Sequence, residues 1–292
     1  MNLSMTGALA AAYQSGSQRA RVVTESWGEK NLFCPNCSSP KLTWLEPGHP
    51  ASDYSCPACG FWYQLKSQKS RIGNSITDGA YAAMMEAIKK DCAPSYFFLH
   101  YDLATWTVRN LLLIPHFAFP PSAIIKRPPL AATARRVGWV GCNFDLHRIP
   151  AEARIAVVRT IAPSSPPSPM GERMGGELVK LKSPRTGSHP AQSRGEMVII
   201  TPPDVVRAKF CKVKPLKDIS VRERGWTLDV LNDVRSLGKQ EFTNGDAYTL
   251  AEHLEQLHPD NRHVRDKIRQ QLQVLRDAGL LLHIDRGVWR LP

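Results

Sequence analysis

The residues best suited to chemistry lie between positions 34 and 66. Cys34-Pro35-Asn36-Cys37 and Cys56-Pro57-Ala58-Cys59 form two Cys-x-x-Cys pairs separated by 18 residues, a spacing that fits a four-cysteine zinc ribbon. Each pair turns two thiolates toward one ion, and a hairpin between them brings the second pair opposite the first. With all four positions filled by sulfur, no open position remains for water. The spacing therefore predicts a structural Zn²⁺ whose binding energy, on the order of 10 kcal/mol, is largely folding energy for the hairpin. Redox pairs or buried thiols are the competing readings of the same residues. The other cysteines, Cys92, Cys142 and Cys211, are expected to be buried as small apolar residues. A metal pattern in place of a disulfide framework points to a reducing, cytoplasmic setting.

Asp53 stands between the knuckles, and after ten intervening residues comes Gln64-Leu65-Lys66. Hydrolysis of a phosphodiester needs a divalent ion on hard oxygen ligands and a cation near the attacking water. Asp53 offers a carboxylate. On a strand, residues 64 and 66 project to one face while Leu65 points into the core, leaving its carbonyl as a further ligand. Asp53, the Gln64 side-chain oxygen and the Lys66 ammonium then converge on one site for Mg²⁺ and a water. An acidic residue followed by Gln-x-Lys also occurs on solvated strand edges, and the pattern by itself does not choose between the two.

These residues need a frame, and the sequence predicts a mixed α/β one. Strand-like runs occur at Tyr96 to Leu99, Val108 to Ile114 and Ile155 to Val158, with a helix expected from Asp78 to Lys90. The Ala-rich start, Met1 to Gln14, lacks the basic and apolar regions of a signal peptide and reads as the first helix. From about 162 to 197 Pro, Ser and Gly dominate, the composition of a structureless surface insertion. From Ser220 onward three helical patterns follow: Trp226, Val230, Leu231 and Val234; then Leu250, Leu254 and Leu257 after a cap at Thr243 or Asn244; then Asn261 to Ala278 with Val264, Ile268, Leu272 and Leu275 inward. Gly279 ends the third helix, and residues 280–291 read as strand, turn, strand. Three helices and a β-hairpin is the winged-helix order, a variant of helix-turn-helix.

The formal charge of +12, from 38 Lys+Arg against 26 Asp+Glu, favours a polyanionic partner. Residues 220–292 hold 11 basic and 11 acidic side chains, so the rest of the chain carries the whole excess. No apolar run is long enough to span a membrane. The third C-terminal helix presents Arg262, Arg265, Lys267, Arg269, Gln270 and Gln273 away from its apolar stripe; Arg suits guanine and Gln suits adenine in the major groove. Lys126, Arg127, Arg135 and Arg136 near Trp139 are candidate phosphate or base contacts. The isolated His49, His100, His116 and His147 are given no catalytic role.

The chain also resembles a known family. Ser17-Gln18-Arg19-Ala20-Arg21, the two knuckles, Leu65-Lys66-Ser67, Asp78-Gly79-Ala80-Tyr81-Ala82, Thr133-Ala134-Arg135-Arg136, Gly138-Trp139, Gly141-Cys142-Asn143, Arg224-Gly225-Trp226-Thr227 and Lys267 to Gln273 are similar to the DpnI-like, dam-replacing family of methyl-directed type II restriction endonucleases. The similarity covers nearly all the chain outside the Pro-rich insertion. It implies a bacterial, Mg²⁺-dependent nuclease domain of the PD-(D/E)xK class over 1–219, with the zinc ribbon (34–59) inserted, and a winged-helix DNA-binding domain over 220–292. It further implies a monomer that cleaves double-stranded DNA at GATC sites carrying N6-methyladenine. Asp53, residue 64 and Lys66 would form the active site, and Trp139 would lie against the methyl groups. One departure stands out: the family pattern has Glu at 64, where this chain has Gln. The amide still offers an oxygen to Mg²⁺, but one negative charge is lost. A protein that binds methylated DNA without cutting it efficiently, a sensor or repressor, is therefore the alternative expectation. A zinc-ribbon transcription factor unrelated to nucleases leaves the Asp53 to Lys66 match unexplained.

Overall fold

A computed structural model describes residues 1–46, 52–161, 177–180 (by backbone) and 197–292. The expected insertion at 162–197 lies outside the described residues except at residue 197 and at Glu177–Lys180, which is a strand instead of the structureless segment expected; His49 also lies outside them. The chain divides into two compact units. One comprises Met1–Ile72, Pro94–Ile114 and Ile155–Lys209, the other Gly73–Ala93, Pro115–Arg154 and Phe210–Pro292.

The first unit is built on an eight-stranded sheet. Its order is Thr43–Trp44, Tyr54–Ser55, Trp62–Gln68, Ser95–Asp102, Thr107–Ile114, Ile155–Ile161, Met197–Ile200 and Glu177–Lys180. Trp62–Gln68 runs parallel to Ser95–Asp102, with Leu65 opposite Phe97 and Lys66 opposite Phe98; the other described pairings are antiparallel. Tyr96, Phe97, Phe98 and Leu99 are all buried, as a central strand covered on both faces requires. The three strand runs legible in the sequence are thus present, each somewhat longer than expected.

One helical expectation in this unit needs correction, and one helix was not anticipated. The N-terminal segment forms only a short 3-10 helix, Gly7–Ala12. The first α-helix is Gly16–Asn31, which buries Val23, Thr24, Trp27 and Gly28. Two glycines and the β-branched run Val22-Val23-Thr24 give that segment weak helix propensity and a faint apolar stripe. Gly28 is required there: a Cβ would collide with the Tyr54 hydroxyl, which reaches the helix backbone.

The second unit holds a three-stranded sheet ordered Ser75–Ala80, Gly141–Asp145, Ile124–Lys126. The helix expected from Asp78 is Tyr81–Lys89; Asp78, Gly79 and Ala80 belong to the preceding strand, with Ala80 paired to Gly141. Its C-terminal part has the helices Val221–Ser236, Asn244–Tyr248, Ala251–Leu257 and Val264–Asp277 and the hairpin Leu282–Asp285, Val288–Arg290. The single second helix expected is two short ones, the first started by a capping box between Thr243 and Asp246. Strand Glu241–Thr243 adds a third strand to the hairpin, one that no pattern in the sequence announces. Gly279 and Gly287 adopt positive φ at the helix end and the hairpin turn.

This unit is fixed by a buried cation. Arg224, 5% exposed, donates to both Asp91 carboxylate oxygens at 2.8 and 3.1 Å and to the carbonyls of Lys217 and Ile219. Hydrogen bonding to Arg224 lowers the Asp91 pKa despite partial burial. Cys142 is buried as expected, but Cys92 and Cys211 are exposed: Cys92 follows the end of its helix, and Cys211 lies on the outer face of Pro203–Val213.

Candidate functional site

The four knuckle cysteines meet in the first unit. Their sulfurs all lie within 4.8 Å of one another, with Cys34 Sγ to Cys59 Sγ at 3.6 Å and Cys37 Sγ to Cys56 Sγ at 3.5 Å. Four thiolates around one tetrahedral ion at Zn–S of about 2.3 Å require separations close to these, so the cluster fits a metal such as zinc. Local turns bring the sulfurs together. Gly60 N–H donates to Cys56 O and Cys56 N–H to Phe61 O, while Cys34 N–H donates to Ser39 O. Burial pushes the Cys34 thiol up. Burial also acts to raise the Cys56 thiol, but the N–H groups of Cys59 and Ala58, together with hydrogen bonding to the Cys37 and Cys34 thiols, outweigh it and bring it to about 7, the direction metal binding needs.

One contributor was invisible in the sequence. Arg207, in the helix Pro203–Val213, donates to Cys34 O at 3.0 Å, Cys37 O at 2.7 Å and Ser39 O at 3.1 Å, and lies over the Phe33 ring. It clamps the first knuckle from about 170 residues away. No local motif announces such a contact.

The second knuckle leads back to Asp53. Tyr54–Ser55 pairs with Trp62–Tyr63, and Asp53 N–H donates to Tyr63 O at 2.9 Å. One step further the ladder is completed by a side chain: Leu65 N–H donates to Asp53 Oδ2 at 2.8 Å. The carboxylate is thereby fixed at the strand edge. Tyr63 and Leu65 are buried while Gln64 and Lys66 are half-buried, so residues 64 and 66 share the opposite face, as the period of two requires. Burial raises the Asp53 pKa; the Leu65 N–H and the Lys66 and Arg21 charges oppose that rise, and Glu25 adds to it. Asp53 is thus within electrostatic reach of Lys66 and of two residues on Gly16–Asn31. Glu25 was not singled out from the sequence, because nothing in residue spacing links that helix to Asp53.

The Dam-replacing family model matches residues 1–166, which include the cysteine cluster, Asp53 and Lys66. This chain belongs to the Dam-replacing family. The Dam-replacing HTH domain matches residues 222–291, the helices and hairpin of the second unit, so the chain has the helix-turn-helix of a DNA-binding family member. Among the described residues no helix is long and apolar enough to cross a membrane.

On the helix Val264–Asp277 of this family domain, Val264, Ile268, Gln271, Leu272 and Leu275 are buried. Gln271 was not anticipated inside; its side-chain oxygen accepts from Thr227 at 2.6 Å, which satisfies it there. Arg265, Arg269 and Gln273 are exposed along one side, and Arg262 is exposed just before the helix. Lys267 and Gln270 differ: both reach Glu223 on Val221–Ser236, at 3.7 and 3.4 Å, and Lys267 also donates to Gln270. The six expected contacts therefore do not form one uniform face.

Trp139 occupies the neck of a loop. Gly138 N–H donates to Leu130 O and Leu130 N–H to Trp139 O, both at 3.0 Å, and Gly138 takes φ +73. Arg135, Arg136 and Val137 are exposed and Trp139 is half-buried. Arg136 lies over the Trp139 ring at 5.0 Å, and that ring packs where Gly141 lacks a side chain. Trp139 is thus not a core tryptophan.

Proposed function

We propose that this chain is a divalent-metal-dependent endonuclease with the PD-(D/E)xK arrangement, hydrolysing phosphodiesters of adenine-methylated DNA at GATC sites. The observation that carries the reading is the Asp53 carboxylate held 2.8 Å from Leu65 N–H, at the edge of the strand that carries Gln64 and Lys66. Membership of the Dam-replacing family supports the reaction class.

The donor set suits Mg²⁺. Asp53 supplies a carboxylate and Gln64 an amide oxygen. Tyr63 O faces Asp53, so the Leu65 carbonyl, two residues on, opens toward the same edge. Beside them, Ser52 Oγ is buried without a hydrogen-bond partner among the described residues. When bound, the ion would neutralise phosphate charge and acidify a water. Lys66 would orient that water and balance charge developing on the phosphate. Residues 1–219 form the nuclease part and 220–292 a winged helix, with Arg265, Arg269, Gln273 and Arg262 toward DNA, and Arg135, Arg136 and Trp139 at a second contact. Lys267 and Gln270 would reach DNA only by releasing Glu223.

Burying one methyl group is worth about 0.8 kcal/mol, so two on a palindrome give roughly tenfold preference. Sharper discrimination requires methyl reading in both domains, or a methyl whose loss also misaligns catalysis. The second reading, a methyl-DNA sensor, rests on Gln64, which leaves the site one charge short.

The deciding experiment compares two otherwise identical plasmids, one adenine-methylated at GATC, with Mg²⁺ or Mn²⁺ and with Lys66→Ala as control. Cutting of the methylated plasmid alone, lost in the control, is the expected result. Equal cutting of both would refute the specificity, and selective binding without cutting would establish the sensor.

A further inference from the structure

We propose that Glu25 is the second carboxylate of this metal site, replacing the charge that Gln64 lacks, and that Arg21 masks it until the cation arrives. The inference deepens the metal-site reading above and rests on it. Two hydrogen bonds place the helix turn carrying Glu25 against the site's strands. Tyr54, the residue after Asp53, donates its hydroxyl to Glu25 O at 2.7 Å. Thr24 donates to the hydroxyl of Ser67, the residue after Lys66, at 3.0 Å.

The Glu25 side chain is only 16% exposed, and Arg21, one helical turn earlier, pairs with its Oε1 at 2.6 Å. Asp53 feels both charges, and Arg21 feels both carboxylates. An isolated i,i+4 pair on a helix surface would have no such third partner.

Charge arithmetic gives the arrangement its purpose. Asp53 and Glu25 against Lys66 and Arg21 sum to zero, a poor environment for a divalent cation. Arg21 is 56% exposed, so it can turn into solvent at little cost. The two carboxylates then face the ion with only Lys66 opposing them. Exchange of a guanidinium for a metal leaves Glu25 compensated in both states, as a mostly buried charge requires.

The test is Mn²⁺ binding to the zinc-loaded 292-residue chain without DNA, by titration calorimetry, with zinc content and thermal melting as controls for folding. Glu25→Gln is expected to weaken binding at least tenfold. Arg21→Gln should strengthen it severalfold, and adding Gln64→Glu to Glu25→Gln should restore most of the loss. Unchanged affinity in Glu25→Gln overturns the proposal and leaves the pair a structural one. If Glu25→Gln does not fold, Arg21→Gln decides: unchanged or weaker binding overturns the proposal. Asp53→Asn separates the two levels. Loss of binding there locates the ion at Asp53, whereas binding that survives Asp53→Asn removes the metal site itself and Glu25's role with it.

Discussion

The cysteine cluster and the Asp53 edge share one short strand, Tyr54–Ser55, with Asp53 just before it and Cys56 just after. They are assembled in opposite ways. Each half of the cluster is a local turn whose own N–H groups aim two sulfurs at a common point, and the four donors close around it. The Asp53 edge gathers groups from three separate elements: a residue before one strand, a second strand and a helix. A closed sulfur set suits an ion that only holds the fold, whereas an open edge of oxygens can admit a phosphate and a water. Proximity in sequence also makes the second depend on the first, because the ribbon fixes the strand that places Asp53.

The largest effect that would sharpen this contrast comes from removing the metal that the cluster would hold. Chelation, or Cys37→Ser, should forfeit folding energy on the order of 10 kcal/mol, with zinc release, a collapsed thermal transition and loss of cleavage together. An unchanged melt after cysteine substitution would break the comparison at its root. Arg207→Met comes next. It removes donors from three knuckle carbonyls, at a cost of about 2 kcal/mol, visible as a lower melting temperature and easier zinc loss. Mn²⁺ affinity at Asp53 should stay unchanged in that variant once it is zinc-loaded.

Gln64→Glu probes the open site alone. Restoring one carboxylate should tighten divalent-metal binding by about tenfold, ~1.4 kcal/mol, and raise cleavage without raising DNA affinity. No gain in either would mean that the amide already suffices.

The smallest effect is in pH. Burial raises the Asp53 pKa, so the folded protein holds that proton at a pH where the unfolded chain has released it. In the metal-free protein this contribution to stability is full below the unfolded pKa and fades as pH rises through the folded one. Metal binding needs the carboxylate, so Mn²⁺ affinity should climb over that interval, above the ordinary aspartate range. Asp91 has the opposite sign: Arg224 lowers its pKa, so its contribution is present above the unfolded pKa and lost as pH falls through the folded one. Melting temperatures of wild type and Asp53→Asn across the acid range would separate the two, and identical profiles would rule out the Asp53 assignment.

Sequence by itself determined the features that repeat over short distances. The two Cys-x-x-Cys turns, the apolar runs of the central strands, the alternation that puts Gln64 and Lys66 on one face, and the stripe Val264, Ile268, Leu272, Leu275 all follow from local periodicity and turn chemistry. Short-range reading failed where propensity was faint or a boundary turned on pairing: the helix Gly16–Asn31, the strand Ser75–Ala80 before its helix, the break between Tyr248 and Ala251 that splits one expected helix into two, and the exposure of Cys92 and Cys211. Only the tertiary structure decided which distant groups meet. It set Arg207 on the first knuckle, Arg21 and Glu25 within electrostatic reach of Asp53, and Glu223 against Lys267 and Gln270. Such contacts join residues whose separation along the chain carries no period, and the burial that makes their charges matter exists only once the sheet and helices have packed.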